Sequence, residues 1–416
     1  MKLDAARPLD GVRVLDLSRV LAGPMAAQVL ADLGAEVIKI ERPAVGDDTR
    51  LMGPHFAGAA ELVDRSAYFW AVNRGKGSVA IDLATADGAD LVRGLAARAD
   101  VLIENFKVGT LDRYGLGVSD LAAINPRLVY CSITGFGQSG PYRNRAGYDS
   151  IIQAMGGLMS ITGEPDGSPG GGPQRAGVPM IDIMTGLYAA TAILAALRHR
   201  DRADQGQGQG RGQHIDLALL DVMVSSLSYF GVSHLASGRV PQRTGTRNPV
   251  THPSGIYDCS DGQIMIIAGN EEQFHRLCQA LGVPGLCADP RFATSPDRVA
   301  NARALDALVG PRLAVRSLND CLEAFEEAGV PAGPINDLAH VFADPHVRAR
   351  GAVVAFDHPG IGAVDCLASP MRLSATPVRY DRRPAMLGEH TRTTLRDLLG
   401  LSELALDELQ AKGAIG

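Results

Sequence analysis

The chain has 416 residues, of which 46% are hydrophobic and 21% are charged, and its formal net charge is −6. This length allows two domains with sizeable hydrophobic cores. The acidic balance argues against a general nucleic-acid-binding protein, which would carry an excess of basic residues. The six cysteines form no C-x-x-C pair and the ten histidines show no metal-ligand spacing, so we expect no metal site and a reducing compartment. Since the sequence shows neither an apolar signal segment nor an apolar run of membrane-spanning length, we expect a cytoplasmic protein that does not enter membranes.

The first half of the chain alternates between strand-like and helix-like patterns. Residues 12–17 predict a strand, residues 25–33 a helix and residues 36–41 a second strand. This strand–helix–strand spacing is typical of a parallel pair. The same rhythm continues with helices predicted over 87–98 and 119–124 and strands over 101–105 and 128–134. The sequence therefore predicts an α/β fold with a parallel sheet.

The second half begins with a Gly/Gln-rich stretch, residues 201–212, which is typical of a linker. A helical pattern follows over 215–235, and a hairpin is predicted by strand patterns on both sides of the turn at 260–262. Further helices are predicted over 271–281, 301–308 and 318–328. We expect a large domain over 1–200, a linker over 201–222, a small α+β domain over 223–335, and a return of residues 336–416 to the large domain.

A G-x-G-x-x-G segment, residues 135–140, follows a predicted strand. In a dinucleotide-binding fold this motif opens a helix, but here the turn-like residues 141–147 follow. The segment therefore indicates a glycine turn that lets the backbone approach a ligand. A nucleotide-binding oxidoreductase remains an alternative at this point.

Asp182 is a lone carboxylate among apolar residues, just before the apolar helical pattern of residues 187–197. Burial would raise the pKa of its carboxyl group, whereas the positive end of a helix would lower it. The two effects together would give an ionised but poorly hydrated carboxylate, which suits a nucleophile. The competing interpretation is that Asp182 caps the helix.

Many segments, in order along nearly the whole chain, resemble the family III CoA-transferases, which include formyl-CoA transferase and carnitine CoA-transferase. These segments are residues 8–16, 19–24, 33–43, 46–50, 73–78, 104–106, 130–137, 145–149, 156–163, 177–186, 212–216, 333–336 and 387–391. The resemblance implies a Rossmann-like large domain and a smaller domain, arranged as an interlocked homodimer. It also implies an acyl-CoA and a small carboxylic acid as substrates, with no permanently bound cofactor and no metal.

The resemblance further implies that Asp182 attacks the donor thioester, giving an aspartyl–acyl mixed anhydride and then an aspartyl-CoA thioester. Water must be excluded from such intermediates, and the glycine-rich residues 167–173 or the turn at 269–270 are candidate lids. Residues implied to contact CoA are Val20, Ala22, Arg42, Ile81, Asn105, Phe106, Arg113 and Asp149, with Arg42 and Arg113 on phosphates. Leu21, Tyr68 and Tyr148 would line the acyl pocket. Leu21 replaces a glutamine of formyl-CoA transferases, which favours an acyl group larger than formate or oxalate.

Within the superfamily, the chain most resembles the glutarate CoA-transferases, which use succinyl-CoA as donor. A dicarboxylate acceptor needs a cation for its far carboxylate, and Arg50, Arg74 and Arg247 are the candidates. The main alternative function is that of an α-methylacyl-CoA racemase, which carries a Gly-His-Asp segment where this chain has Gly147-Tyr148-Asp149. A tyrosine is a poor proton-exchange base at neutral pH, which favours the transferase. A non-catalytic CoA-binding subunit is disfavoured by the presence of Asp182.

Overall fold

The computed structural model describes residues 6–56, 65–202 and 210–416, so residues 203–209 of the predicted linker lie outside the described residues. The strands are β1 Arg13–Asp16, β2 Glu36–Glu41, β3 Lys76–Ala80, β4 Val101–Glu104, β5 Val129–Thr134, β6 His214–Ala218, β7 Ser254–Asp258, β8 Gln263–Ile267, β9 Ala332–Pro334, β10 Val353–His358 and β11 Gly362–Leu367.

The α-helices lie between and after these strands. They are α1 Ala22–Asp32, α2 Ala67–Val72, α3 Ala86–Ala96, α4 Val118–Ile124, α5 Asp149–Met155, α6 Leu158–Ile161, α7 Met180–Arg202, α8 Leu219–Ser226, α9 Ser228–Ser237, α10 Glu271–Ala280, α11 Ser295–Ala300, α12 Ala302–Ala314, α13 Leu318–Ala328, α14 Leu338–Ala343, α15 Pro345–Ala349, α16 Thr391–Leu399 and α17 Glu403–Ala411.

The first six strands form one sheet in the order β3-β2-β1-β4-β5-β6, and every neighbouring pair is parallel. All residues of β3 and β4 are buried, as expected for strands covered by helices on both faces. The predicted α/β fold with a parallel sheet is confirmed. The strand order reverses between β1 and β4, and open α/β sheets bind ligands at the carboxyl ends of the strands at such a point.

The edge strand β6 corrects the sequence-based prediction of a continuous helix over 215–235. His214 and Asp216 alternate with Ile215 and Leu217, which is the period of a strand, and β6 pairs in parallel with β5. The helical pattern holds only from Leu219 onward, where it is divided into α8 and α9. The strand was missed because its alternation of polar and apolar residues is only five residues long and is followed directly by a longer apolar pattern that predicts a helix.

Helices pack on this sheet through buried aliphatic side chains. One core cluster joins Leu15 and Leu102 of the sheet to Leu95 of α3, and also includes Leu395 of α16 and Leu406 of α17. The last two helices thus belong to the core that supports the sheet. By length and hydropathy, α7 qualifies as a candidate membrane span, as does the bent pair α8 and α9, but α7 contacts α1 and β5 in the manner of a core helix.

The chain divides into two compact units. One comprises Met1–Gly156, Gly177–Ser228 and Ala349–Gly416, and the other comprises Gly157–Ala176 and Tyr229–Arg348. The second unit contains the antiparallel sheet β7-β8-β9 and its own core, with Ile264, Ile266, Phe274 and Phe325 fully buried. The hairpin predicted around residues 260–262 is confirmed by the β7–β8 pairing.

Candidate active site

The loop after β1 is held in place by Asn105, which directly follows β4. The Arg19 backbone N–H donates to Asn105 Oδ1 at 2.9 Å, and Asn105 Nδ2 donates to the Arg19 carbonyl oxygen at 2.6 Å. This pair of hydrogen bonds ties together the carboxyl ends of the two strands at the switch point. A ligand at this place would therefore meet a fixed backbone.

Val20, in the same loop, has a φ of +71°, a conformation that β-branched residues rarely adopt. Its N–H donates to Asp47 Oδ1 at 3.3 Å. Lys39 Nζ lies 3.0 Å from Asp47 Oδ2 and donates to the Ser18 carbonyl oxygen at 2.8 Å. Lys39 is buried, and its ammonium group holds this loop in place.

A cavity of about 160 Å³ opens beside this loop and beneath Arg19. Its walls are largely apolar, and the Arg19 guanidinium carbon lies 5.4 Å from the centre of the Phe106 ring. Arg42 lies at the rim, with Nη2 2.8 Å from Asp48 Oδ1. The remaining apolar lining residues include Leu17, Ile40, Ile81, Leu83 and Tyr114. A flat aromatic group with charged substituents at the rim would suit such walls.

A second cavity, of about 230 Å³, shares Arg19 and Phe106 with the first. It brings together seven residues that the sequence nominated, which are Val20, Leu21, Ala22, Asn105, Phe106, Tyr148 and Asp182. It also contains cations whose position near Asp182 the sequence did not reveal, which are Lys107, Arg143 and Arg145. The two cavities form adjoining sites, one of which contains the candidate nucleophile.

The glycine turn of residues 135–140 begins at the second cavity, which Gly135 and Gly147 both line. Gly135 and Gly147 cross so closely that a Cβ on Gly135 would stand 2.6 Å from the Gly147 Cα. No helix opens after Gly140, and the next helix is α5, which begins at Asp149. The interpretation of this motif as a glycine turn is confirmed.

Asp182 lies in the first turn of α7, but it does not cap the helix. Asp149 takes that role, because its Oδ2 accepts hydrogen bonds from the N–H groups of Ile181 at 2.8 Å and of Asp182 at 3.3 Å. Within the described residues, no hydrogen bond reaches the carboxylate of Asp182. Burial, followed by repulsion from Asp149, raises the pKa of Asp182 to about 7. Burial therefore outweighs the helix end, and the cap interpretation is wrong.

Tyr68 lies close enough to these carboxylates to be affected by their charges. Burial, together with the charges of Asp182, Asp47 and Asp149, raises the pKa of Tyr68 to about 12. Its phenol therefore remains protonated at neutral pH and can donate a hydrogen bond. Tyr148 is 67% exposed and lines the second cavity.

The structure does not support Arg50 as the residue that binds the far carboxylate of an acceptor. Arg50 is fully buried, its Nε and Nη2 donate to the two Glu41 carboxylate oxygens at 2.8 and 2.7 Å, and it stacks 3.8 Å from the centre of the Phe69 ring. Arg74 is likewise buried, with Nε 2.9 Å from Asp32 Oδ1. The guanidinium groups of Arg50 and Arg74 stabilise the fold, and we no longer consider either as a candidate for binding the far carboxylate of an acceptor.

Three other nominated residues have positions that qualify their expected roles. Arg113 is exposed in a short 3₁₀ turn and lines neither cavity. Asp149 is 8% exposed, and its carboxylate accepts a hydrogen bond from the backbone of α7, so its expected contact with CoA stays a prediction. Arg247 belongs to the second unit, where its Nη1 lies 3.7 Å from Asp306 Oδ2.

The two candidate lid segments also belong to the second unit. Residues 269–270 are tied down, since the Gly269 N–H donates to Gln273 Oε1 at 2.8 Å and the Gln273 N–H donates to Asn270 Oδ1 at 2.9 Å. The other segment, residues 167–173, is joined to the preceding chain by an isolated β-bridge between Gly171 and Glu164. Among the described residues, no cluster of side chains could hold a metal ion.

Residues 9–391 match the model of a protein family described as CoA-transferase family III. The chain belongs to this family. This CoA-transferase is 47% identical to a succinate–glutarate CoA-transferase of Agrobacterium fabrum, over 94% of the chain and 96% of that relative. It is 40% identical to the human succinyl-CoA:glutarate CoA-transferase, over 98% of the chain and 90% of that relative.

Among solved structures, this CoA-transferase is similar to a CAIB/BAIF family protein from Brucella suis. The TM-score is 0.83 at 47% sequence identity, and the match covers 95% of this chain and 100% of that one. The likeness extends over both compact units. The resemblance inferred from sequence motifs is thus confirmed at the level of the family and the enzyme class.

Proposed function

We propose that this enzyme transfers CoA from succinyl-CoA to a dicarboxylic acid such as glutarate, with Asp182 as the covalent nucleophile. The observation that carries the proposal is the state of Asp182, a half-buried carboxylate that accepts no hydrogen bond within the described residues and lines a cavity adjoining a second, largely apolar one. The names of the relatives support the choice of donor and acceptor. A C4 to C6 diacid is also compatible with the apolar Leu21 in the acyl pocket.

In the proposed first step, an Asp182 oxygen attacks the thioester carbonyl carbon, and the C–S bond breaks to give a mixed anhydride and CoA thiolate. The thiolate then attacks the Asp182 carbonyl carbon, which releases the donor acid and leaves an aspartyl-CoA thioester. The acceptor carboxylate attacks this thioester and forms a second anhydride. CoA thiolate finally attacks the acceptor acyl carbon and restores the Asp182 carboxylate. No ATP is consumed because the free energy of the donor thioester is retained in the anhydride and thioester intermediates.

We propose two groups that would stabilise the oxyanions of these steps. The first turn of α1 follows Leu21, which provides no side-chain cap, and Ala22 at its start lines the second cavity. Unclaimed N–H groups at a helix N-terminus favour a developing negative charge. Tyr68, which stays protonated, supplies an O–H donor on the Asp182 side.

Two sets of cations have distinct proposed partners. For the coenzyme phosphates, we retain Arg42 at the rim of the first cavity and Arg113 outside it. For the far carboxylate of the acceptor, Arg143 and Arg145 line the cavity that contains Asp182, and Arg145 stacks 3.9 Å over Tyr142. Arg247 of the second unit remains the candidate taken from the sequence.

We also propose that the enzyme works in the cytoplasm as an interlocked homodimer without a permanently bound cofactor. The exposed apolar side chains of α9 support association, since Val232 is 66% exposed and Leu235 is 85% exposed. Large apolar side chains left in water commonly mark an interface. The six free cysteines are compatible with a reducing compartment. Light scattering of the purified protein tests the dimer, and a monomer at micromolar concentration would refute it.

The function is tested by mass spectrometry of the CoA products after the purified protein meets succinyl-CoA and glutarate. Glutaryl-CoA above the level given by the Asp182→Asn variant supports the proposal. If glutaryl-CoA does not form but solvent deuterium enters the α-carbon of a 2-methylacyl-CoA, the enzyme is a racemase and the proposed transfer is wrong.

A further inference from the structure

Two carboxylates stand at the N-terminus of α7, and they are not equivalent. Asp149 is the first residue of α5, directly after Tyr148 of the cavity wall. Its Oδ2 receives the two N–H groups of α7 described above, and its Oδ1 accepts from Gln153 Nε2 at 2.6 Å. Both oxygens of Asp149 are therefore hydrogen-bonded, whereas the Asp182 carboxylate accepts no hydrogen bond within the part of the chain that the structure describes.

The position of Asp182 explains why this matters. A carboxylate in the first turn of a helix is ordinarily drawn to the free N–H groups there, and those bonds stabilise its charged form. Because Asp149 already accepts the N–H groups of Ile181 and Asp182, the Asp182 carboxylate is left without them. A carboxylate without donors is a stronger nucleophile than one that accepts two backbone hydrogen bonds.

We propose that Asp149 is a positioning residue for the nucleophile, which occupies the helix N-terminus in place of Asp182 and opposes the negative charge of Asp182 at close range. This inference rests on the proposed function and adds a residue to it. Asp149 is not among the residues that line the cavity of Asp182, so its proposed effect on the reaction is exerted through Asp182.

The charge of Asp182 changes during the reaction, and its interaction with Asp149 changes with it. When Asp182 is acylated or carries CoA, it becomes neutral, and its repulsion with Asp149 disappears. Asp149 thus raises the free energy of the free Asp182 carboxylate relative to the covalent intermediates. This repulsion favours the attack of Asp182 and disfavours the reverse step, in which the acyl group leaves Asp182.

The charged and titratable groups around the pair come from several elements. Tyr68 lies on α2, Tyr148 precedes α5, and Asp221 lies on α8, which packs against both α5 and α7. The remaining charged residues that line the cavity of Asp182 are Arg19, Asp48, Lys107, Arg143 and Arg145. Of these charged groups, it is Asp149 whose charge raises the pKa of Asp182.

The test is the pH dependence of kcat/KM in the Asp149→Asn variant. Asparagine keeps an oxygen that accepts the N–H groups of α7 but removes the charge. Because Asp182 must be ionised to attack, kcat/KM of the native enzyme should rise with pH and level off above about 7. In the Asp149→Asn variant, we expect the midpoint of the pH profile of kcat/KM to fall by about one pH unit and its plateau to fall several-fold. Relative to its own plateau, the variant therefore keeps more of its activity at acidic pH than the native enzyme does.

The Asp149→Ser variant is a second neutral replacement, and circular dichroism of both variants checks that they fold. Asp337→Asn serves as the matched control, because Asp337 caps α14 by accepting the His340 N–H at 2.8 Å. The control should leave the profile unchanged. An unchanged midpoint in both Asp149 variants would overturn the proposal, as would a midpoint that moves to higher pH.

A readout that does not need turnover separates this proposal from the proposed function. Carbon-13 NMR of aspartate-labelled protein reports the titration of Asp182, which is assigned as the carboxyl signal lost in Asp182→Asn. A lower pKa of Asp182 in Asp149→Asn supports the positioning role even if glutarate is not the acceptor. If transfer is observed while the pKa of Asp182 is the same in both proteins, the proposed function stands and the role of Asp149 falls.

Discussion

Removing a carboxylate from water disfavours its charged form, and two groups of charges in the large unit differ in whether a cation offsets this cost. Beneath the loop after β1, Lys76 Nζ lies 2.8 Å from Asp16 Oδ2 and Lys39 Nζ lies 3.0 Å from Asp47 Oδ2. Burial pulls the pKa of Asp16 upward, but Lys39 and Lys76 outweigh it and hold that pKa below its ordinary value. At the N-terminus of α7, by contrast, burial and a like charge both raise the pKa of Asp182.

The difference separates charges that hold the fold from a charge that can react. A paired carboxylate such as Asp16 is stabilised in its ionised form and is a poor nucleophile. The unpaired Asp182 destabilises the folded protein and gains reactivity in return, a trade common at active sites. The two groups therefore predict opposite responses to mutation.

The largest expected effect is on catalysis. Asp182→Asn removes the nucleophile while keeping the size of the side chain, and we expect kcat to fall by at least about 10³-fold. Initial rates of glutaryl-CoA formation measure this loss. Asp221→Asn, on the neighbouring α8, is the control and should retain native rates.

Breaking the paired group should cost stability. Lys39→Met leaves Asp16 and Asp47 buried with one cation fewer, and we expect a loss on the order of 3–5 kcal/mol in the free energy of unfolding. Denaturation in urea, monitored by circular dichroism, gives this value. Lys412→Met removes an exposed partner of Asp87 at 3.2 Å and should cost at most about 1 kcal/mol. Equal losses in the two variants would contradict the assignment of Lys39 to the fold.

Asp182→Asn should have the opposite effect on stability. The Asp182 carboxyl ionises near pH 3.8 in the unfolded chain but only near 7 in the folded protein. As the pH rises between these values the unfolded state loses its proton first, so native stability falls and the penalty is complete above about pH 7. We expect the variant to be more stable than the native protein by on the order of 2–4 kcal/mol at pH 8, with little difference near pH 4. A gain that does not grow with pH would argue against the raised pKa.

The smallest effect concerns binding at the rim. Arg42 is half exposed and pairs with Asp48, and we propose that it meets a CoA phosphate. Arg42→Ala should raise the KM for succinyl-CoA by about tenfold and leave kcat nearly unchanged, because a phosphate contact is the same in ground and transition states. Arg291→Ala, an exposed arginine of the second unit, provides the comparison. A fall in kcat with constant KM would place Arg42 in the chemistry.

The sequence predicted what depends on local pattern. The strand predicted at 36–41 is observed as β2 and the helix predicted at 318–328 as α13, because apolar periodicity and turn residues mark both. Asp182 was also recognisable, since an acid in an apolar segment is uncommon. What could not be predicted are pairings between distant residues.

Two examples show this limit. The Glu41–Arg50 ion pair, which removes Arg50 from the candidates, depends on how the short 3₁₀ helix Asp48–Arg50 folds beside β2, and it leaves no periodic signal in the sequence. Asp149 and Asp182 are 33 residues apart, and only the packing of α5 beside α7 places one carboxylate on the other's helix. Arg143 and Arg145 are likewise brought to the cavity of Asp182 by the fold and not by any local sequence pattern.

The most direct test of the account is the detection of a covalent intermediate on Asp182. The native enzyme is mixed with succinyl-CoA without acceptor, quenched in acid, digested and analysed by mass spectrometry. The account predicts a CoA thioester on the peptide that contains Asp182, which disappears when glutarate is added and is absent from Asp182→Asn. Turnover without an adduct on that peptide, or with an adduct on another carboxylate, would contradict it.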